Sequence, residues 1–256
     1  MKSKLLPNLI LAAISVYLPL ALFSFFSVVF LGEREAPIRE RRRELNYDRP
    51  QKLSAITEGF LPFFYPQKTV SKFSGKKTYP IGTLPYQKTF YCNEGYGLVT
   101  YTSDRFGLRN QDIVWNNVLI KSNIFVIGDS YIHGSCVPKG SVVTDFIHEA
   151  TSINTINLGN GSSGPYDYFA VLKNLVFPII DGSEMTNYVV VAFYENDFIP
   201  DSPFLEYHLN DSRAIVRRNK DFSVSPTKLY INEVQDTIGE NYSLSFDSIS
   251  AKVNSR

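Results

Sequence analysis

Histidine, cysteine and tryptophan are all scarce in this chain: three, two and one among 256 residues. No His-Glu-x-x-His and no Cys-x-x-Cys occurs, so the usual zinc and redox spacings are missing and no metal or other cofactor is expected. Cys92 and Cys136 are too few for a disulfide framework. They can still pair in an oxidising compartment, which spacing alone leaves open. An excess of either charge is also lacking. With 26 basic and 25 acidic side chains the formal net charge is +1, which gives no general attraction to nucleic acid. Nor is there a Gly-x-x-x-x-Gly-Lys loop for nucleotide phosphates. Aromatic residues are plentiful by contrast, with 19 Phe and 16 Tyr, which argues for packed structure rather than disorder. The length suits one good-sized core with a smaller attached region.

The most extended absence is of charge. From Leu5 to Gly32 the chain reads LLPNLILAAISVYLPLALFSFFSVVFLG, with no ionisable side chain of Asp, Glu, Lys or Arg. A bilayer core needs about 20 apolar residues at about 1.5 Å each, so residues 1–32 are expected to form an N-terminal transmembrane anchor. The stretch is longer than the apolar part of a signal peptide and ends without a small-x-small cleavage site. Pro7 and Pro19 are tolerable kinks in such a helix. Lys2 and Lys4 precede it, whereas Arg34, Arg39, Arg41, Arg42 and Arg43 follow. Counted by Lys and Arg, that distribution leaves the large domain in the cytoplasm. The interleaved glutamates, in EREAPIRERRREL, also fit a solvated juxtamembrane helix laced with ion pairs.

Residues 33–115 form a lead-in rich in Pro, Tyr, Phe and Gly, in which TFYCNEGYGLVTYTSD suggests two short strands about a turn. Residues 116–256 change character. NIFVIG (123–128) is a short apolar run bounded by turn formers, as a buried parallel strand would be. SVVTDFIHEA (141–150) has helical spacing, with Val142, Val143, Phe146 and Ile147 on one side and Ser141 as a cap. NTINLG (154–159) is a second strand, GPYDYFAVLKNLVF (164–177) a helix with Pro165 in its first turn, and NYVVVAFYEND (187–197) a third, strongly apolar strand. Strand–helix alternation of this kind implies a flavodoxin-like, three-layer α/β/α fold with a parallel sheet. The sheet reads as incomplete: beyond the third strand come hairpin-like segments such as AIVRRNKDFSV and a polar tail.

In parallel sheets the working site lies beyond the carboxyl ends of the strands. Three polar loops follow the strands: Gly-Asp-Ser, then Gly-Asn-Gly-Ser-Ser-Gly, then Tyr-Glu-Asn-Asp. Ser130 at a strand-to-helix turn would expose its hydroxyl and aim its own N–H at the site. The small second loop would let backbone N–H groups approach a ligand, and Asn196 would add a side-chain donor. A hydroxyl ringed by donors suits attack on an acyl carbon.

On these residues the chain resembles the SGNH hydrolases, or GDSL-like esterases. IGDSYIHG matches the family's first motif, making Ser130 the implied nucleophile. YEND matches the Gly-x-Asn-Asp motif at Asn196, with Tyr194 in place of its glycine. NLGNGSSGP is similar to the second motif, which implies an oxyanion donor at Ser162, with Gly161 or Gly164 as neighbours that can serve. Asp129, His133, Tyr194 and Asp197 would line the pocket. DRFGLRN (104–110) resembles membrane-anchored bacterial members, some linked to acylation or deacylation of cell-surface polysaccharides. The resemblance, covering roughly residues 100–200, implies an esterase or O-acyltransferase acting on an acylated small molecule or glycan. It also implies a periplasmic or extracytoplasmic domain, against the Lys/Arg count.

The family's base, a histidine in a late Asp-x-x-His, has no counterpart. His208 has Leu205 three residues before it, not Asp. DFIH (145–148) fits the pattern but sits in the first crossover helix, and His133 lies on the same helical turn as Ser130. The base is therefore expected to be absent, the chain to be a fragment truncated before that motif, and Ser130 to be nearly inactive in it. Two other classes compete: a non-catalytic, membrane-tethered module that binds glycan or protein through the same cleft, and a nucleotide binder. The lack of basic residues in the three loops counts against the second of these.

Overall fold

The computed structural model describes residues 48–65, 81–194, 197, 215–232 and 234–235. The expected anchor at 1–32, the juxtamembrane stretch, Asn196 and His208 lie outside them. Among the described residues no helix is long and apolar enough to cross a membrane. The chain divides into two compact units, 1–50 and 51–256, and the mixed α/β core belongs to the second.

A helix, α1 (Asp48–Thr57), leads into the small first sheet. There β1 (Leu61–Pro62) runs parallel to β2 (Lys88–Phe90), which pairs antiparallel with β3 (Thr100–Thr102). Between β2 and β3, Asn93 Oδ1 accepts from the Gly95 and Gly97 N–H groups at 2.8 and 3.0 Å, closing the expected turn. The larger sheet holds β4 (Asn123–Gly128), β5 (Asn154–Gly159) and β6 (Asn187–Val191), all parallel, in the order β5-β4-β6. A hairpin of β7 (Val216–Arg218) and β8 (Val224–Pro226) follows.

β4 and β5 coincide with NIFVIG and NTINLG, whose β-branched and apolar residues suit strands covered on both faces. Alternation along β4 divides its side chains between two clusters. Phe125 and Ile127 join the main core with Ile156, Leu158, Leu175 and Trp115, whereas Ile124 and Val126 meet Ile132 and Ile147. Register is pinned at the amino ends, where Asn123, Asn154 and Asn187 are partners. Asn123 Nδ2 donates to Asn187 Oδ1, and Asn154 Nδ2 donates to Asn123 Oδ1, both at 2.7 Å. β6 departs from the buried strand its sequence suggests: Tyr188, Val189 and Val190 are all exposed, and β6 has a strand neighbour on one side only among the described residues.

The helices also depart from their periodicity. After the one-turn α2 (Ser130–His133), α3 spans Val143–Thr151. Its N-cap is Val142, with no side-chain cap, so Ser141 does not play that part. Val142 is buried and Ile147 packs against Ile124, Val126 and Ile132 as expected, whereas Val143 and Phe146 are exposed and Thr144 is buried. α4 (Pro165–Val171) has Pro165 in its first turn, passes through a π-helical turn at Leu172–Val176 and continues as α5 (Phe177–Ile180).

The lead-in is not separate from the α/β part: Ile81, Phe106, Leu108 and Trp115 belong to the same core as β4 and β5, so packing is continuous across residue 115. The fully buried Asp104 carboxylate organises this junction. It accepts from the Phe106 and Leu108 N–H groups at 2.8 and 2.9 Å, from Asn110 Nδ2 at 2.8 Å and from Trp115 Nε1 at 2.7 Å. The Asn110 carboxamide in turn takes the Asn157 N–H at 2.7 Å and its C=O at 2.9 Å, standing in for a neighbouring strand on β5. Next along the chain, Arg105 grips Asp112 through Nε and Nη2 at 2.9 and 2.7 Å. The sequence left Cys92 and Cys136 open; they are joined as a disulfide that ties the small sheet to the loop after α2.

Removing the Asp104 carboxylate strands four buried donors, each of which costs its desolvation. Asp104→Ala is expected to lose about 3–5 kcal/mol of stability in urea unfolding, and Asp104→Asn, which keeps one acceptor oxygen, less.

Candidate active site at the strand ends

Because β4, β5 and β6 are parallel, their carboxyl ends reach one edge, and the loops that follow meet there. Gly128 ends β4. Asp129, at φ −86° and ψ −146°, breaks from the strand, and its Oδ1 accepts from the Tyr131 N–H at 2.9 Å to cap α2. Ser130 is the first residue of that turn and is half-buried. Among the described residues neither its Oγ nor its N–H has a hydrogen-bond partner. Asp129 itself is buried as a cap, so it supports the turn rather than lining an open pocket.

The second loop is stitched to the first by the Asn160 N–H, which donates to the Gly128 carbonyl at 3.1 Å. Gly159 lies so close to the His133 and Ile132 backbone that a Cβ there would overlap it, so the approach of β5 to the serine turn requires glycine. Beyond it, Gly161 is buried and Ser162 is exposed at φ 62°. Among the described residues the N–H groups of Gly161 and Ser162 have no hydrogen-bond partner. That of Gly164 is committed: it donates to Asp167 Oδ2 at 2.9 Å in the first turn of α4, which removes Gly164 from the set of free donors.

In the third loop Asp197 is buried. Its Oδ2 accepts from the Tyr194 N–H at 2.7 Å and its Oδ1 from the Tyr168 hydroxyl at 2.9 Å. Both carboxylate oxygens are therefore held by protein donors. Burial, with the Asp197 hydrogen bond second, raises the Tyr168 hydroxyl above the ordinary phenol range, keeping it a donor. Tyr194 stays exposed and lies over Tyr131, ring centroids 4.4 Å apart, so an aromatic pair bridges the first and third loops.

His133, expected at the pocket, is only 2% exposed. Its Nε2 shares a hydrogen bond with the Tyr101 hydroxyl at 3.2 Å and its Nδ1 one with Ser135 Oγ at 3.4 Å. The rings of Phe63, Tyr91 and Tyr101 surround it with centroids at 4.9, 5.3 and 5.6 Å. Burial, helped by the nearby Arg109 charge, pushes its pKa down to about 3, so the ring stays neutral. His148, on α3, is exposed and pairs through Nδ1 with the Ile153 carbonyl at 2.7 Å. Among the described residues no imidazole is hydrogen-bonded to Ser130.

Three features escaped sequence reasoning. Phe63, Tyr65 and Tyr91 form a wall over Gly161, where an added Cβ would sit 2.6 Å from the Tyr91 hydroxyl. Their only sequence signal is the aromatic density of the lead-in. Arg109, 9% exposed, donates to the carbonyls of Gly134 and Val137 and lies over the Tyr101 ring at 5.2 Å, so a buried cation braces the turn behind Ser130. The third is the place of the disulfide, a pairing the sequence left open: its Cys136 lies six residues after Ser130 in that same loop.

The buried titratable groups give opposite acid responses. Unfolded His133 binds a proton below its ordinary pKa of about 6.5 and the folded form does not until about 3, so this group costs stability as pH falls through that window. Asp104 is pushed up to about 6 by burial, so the folded form takes its proton first and gains stability between about pH 6 and 4. The two slopes, each about 1.4 kcal/mol per pH unit at most, oppose each other. In His133→Gln the Asp104 response is expected to emerge: relative to the parent chain, stability should rise as pH is lowered from about 6 to 4 in urea unfolding. Parallel curves for the two proteins would refute the neutral, buried imidazole.

Compared with known proteins, the chain matches no family model, no curated protein and no solved structure.

Proposed function

We propose that this is a membrane-anchored, SGNH-like serine esterase or O-acyltransferase on a flavodoxin-like, three-layer α/β/α scaffold. One observation carries the reading: Ser130 stands at the turn where three strand-end loops meet, with its Oγ, its own N–H and the N–H groups of Gly161 and Ser162 uncommitted among the described residues. In this reading Ser130 Oγ attacks the acyl carbon of an ester, its proton passes to solvent, and collapse of the oxyanion breaks the ester C–O bond and releases the alcohol, leaving Ser130 acylated. The amides of Ser130, Gly161 and Ser162, with the Asn196 side chain, receive the oxyanion. Such donors lower the barrier because they face the charge that develops in the transition state. The acyl-enzyme then passes its acyl group to water or to a sugar hydroxyl. The substrate class is an acylated small molecule or glycan.

A second reading, a membrane-tethered module that binds glycan or protein without chemistry, is favoured by the lack of an imidazole on Ser130 among the described residues. An activated ester separates the two, since a good leaving group asks little of a base. Incubation with p-nitrophenyl acetate is expected to release a burst of about one equivalent of p-nitrophenol. The peptide containing Ser130 should gain one acetyl group by mass, and Ser130→Ala should show neither effect. Acetylation scattered over lysines, or unchanged by Ser130→Ala, would leave the binding module as the account.

The Cys92–Cys136 bond supports placing the domain on the oxidising, extracytoplasmic side, because such bonds persist there and are reduced in the cytoplasm. Protein taken directly from cells is expected to react with maleimide only after reduction. Prompt labelling of both cysteines without reductant would place it in the cytoplasm instead.

A further inference from the structure

The serine edge has one closed flank and one open one. Because the strand order is β5-β4-β6, the loop after β4 that carries Ser130 has the second loop on one side and the third on the other. On the β5 side stands the aromatic wall. Phe63 and Tyr91 pack on His133, three residues after Ser130, and Phe63, Tyr65 and Tyr91 all crowd Gly161. A Cβ on Gly161 would lie 2.6 Å from the Tyr91 hydroxyl, 3.2 Å from Tyr65 Cε1 and 3.3 Å from Phe63 Cε1. One added carbon there already overlaps the wall.

The wall is also held in place. Its rings pack on one another, with the Phe63 centroid 4.2 Å from that of Tyr91 and 5.0 Å from that of Tyr65. The Tyr91 hydroxyl is hydrogen-bonded to the Tyr65 hydroxyl at 3.2 Å and to Ser135. The Phe63 N–H donates to the Phe90 carbonyl at 2.7 Å. Cys92, next to Tyr91, is bonded to Cys136, next to Ser135. Rings fixed at this many points resist displacement by a bulkier ligand group. The β6 side differs: Tyr131 and Tyr194, the pair that bridges the first and third loops, are 59% and 45% exposed.

An ester on Ser130 has two arms to place. The acyl arm ends within a few atoms when it is short, whereas the alcohol arm of an acylated glycan continues as sugar and must pass into solvent. The closed flank can hold only an arm that ends, and the open flank lets the other leave. We infer that Phe63, Tyr65 and Tyr91 cap the acyl pocket of Ser130 and restrict it to a short acyl group such as acetyl, while the alcohol arm leaves past Tyr131 and Tyr194. This rests on the reading of Ser130 as the nucleophile and adds to it the residues that select the acyl group.

The test offers the full chain p-nitrophenyl acetate, butyrate and hexanoate, and follows acylation of the Ser130 peptide by mass. Each rate is divided by that ester's hydrolysis in buffer alone. In the step measured, Ser130 Oγ bonds to the acyl carbon, the ester C–O bond breaks, p-nitrophenolate leaves and the serine proton passes to solvent. Acetylation is expected to exceed hexanoylation by at least about tenfold. Tyr65→Ala and Phe63→Leu open the wall and should raise the hexanoyl-to-acetyl ratio by about fivefold or more. Tyr194→Ala, on the other flank, should leave that ratio where it is. Phe63 also packs on His133, so Tyr65→Ala is the deciding variant. Equal acylation by acetate and hexanoate would overturn the inference while leaving Ser130 as nucleophile, as would a ratio that neither wall variant moves. Acylation of Ser130 by none of the three esters would overturn both.

Discussion

Everything at the serine edge depends on one buried carboxylate. Asp104 sits in a medium that penalises its charge, and four donors hold it there: two backbone N–H groups, a carboxamide and an indole. Because those donors come from 106 to 115, the carboxylate folds the DRFGLRN segment into a compact knot. The knot projects Asn110 onto the edge of β5, Arg109 beneath the turn that follows Ser130, and Arg105 onto Asp112. A segment that reads as a lead-in thus becomes the brace of the α/β core.

The serine turn inherits its position from both ends of the sheet. At the amino ends, the chain of carboxamides from Asn187 through Asn123 to Asn154 locks three strands in step. The same register brings Gly128 opposite Gly159 at the far end, where the Asn160 N–H joins the two loops. A one-residue slip would exchange the two buried faces of β4 and part those loops. Aromatic rings from the small sheet then close one side of the edge over Gly161, and the disulfide fastens that small sheet to the turn's own loop.

How much of this was legible depended on how local the determining interaction is. NIFVIG and NTINLG declared β4 and β5 residue for residue, because an unbroken β-branched, apolar run between turn formers has few other uses. Pro165 likewise marked the start of α4. Ser141 looked like a cap but the N-cap is Val142, one residue later, and Thr144 rather than Val143 faces inward. Gly164 read as a backbone donor, yet the acidic residue three positions on captures its N–H, a local pattern that was present to be noticed. His133 and Arg109 were opaque because their surroundings come from residues 63, 91 and 101, brought in by tertiary packing alone. The pairing of Cys92 with Cys136 is of the same non-local kind.

The two borders of the larger sheet are unequal in kind. On β5 the Asn110 carboxamide mimics a neighbouring strand, so that border is already sealed by a side chain. On β6, Tyr188, Val189 and Val190 remain exposed on both faces, with β4 as the strand's single neighbour among the described residues. Among the described residues, therefore, the β6 border is the one left open to a further strand, whereas the β5 border is closed at Asn157.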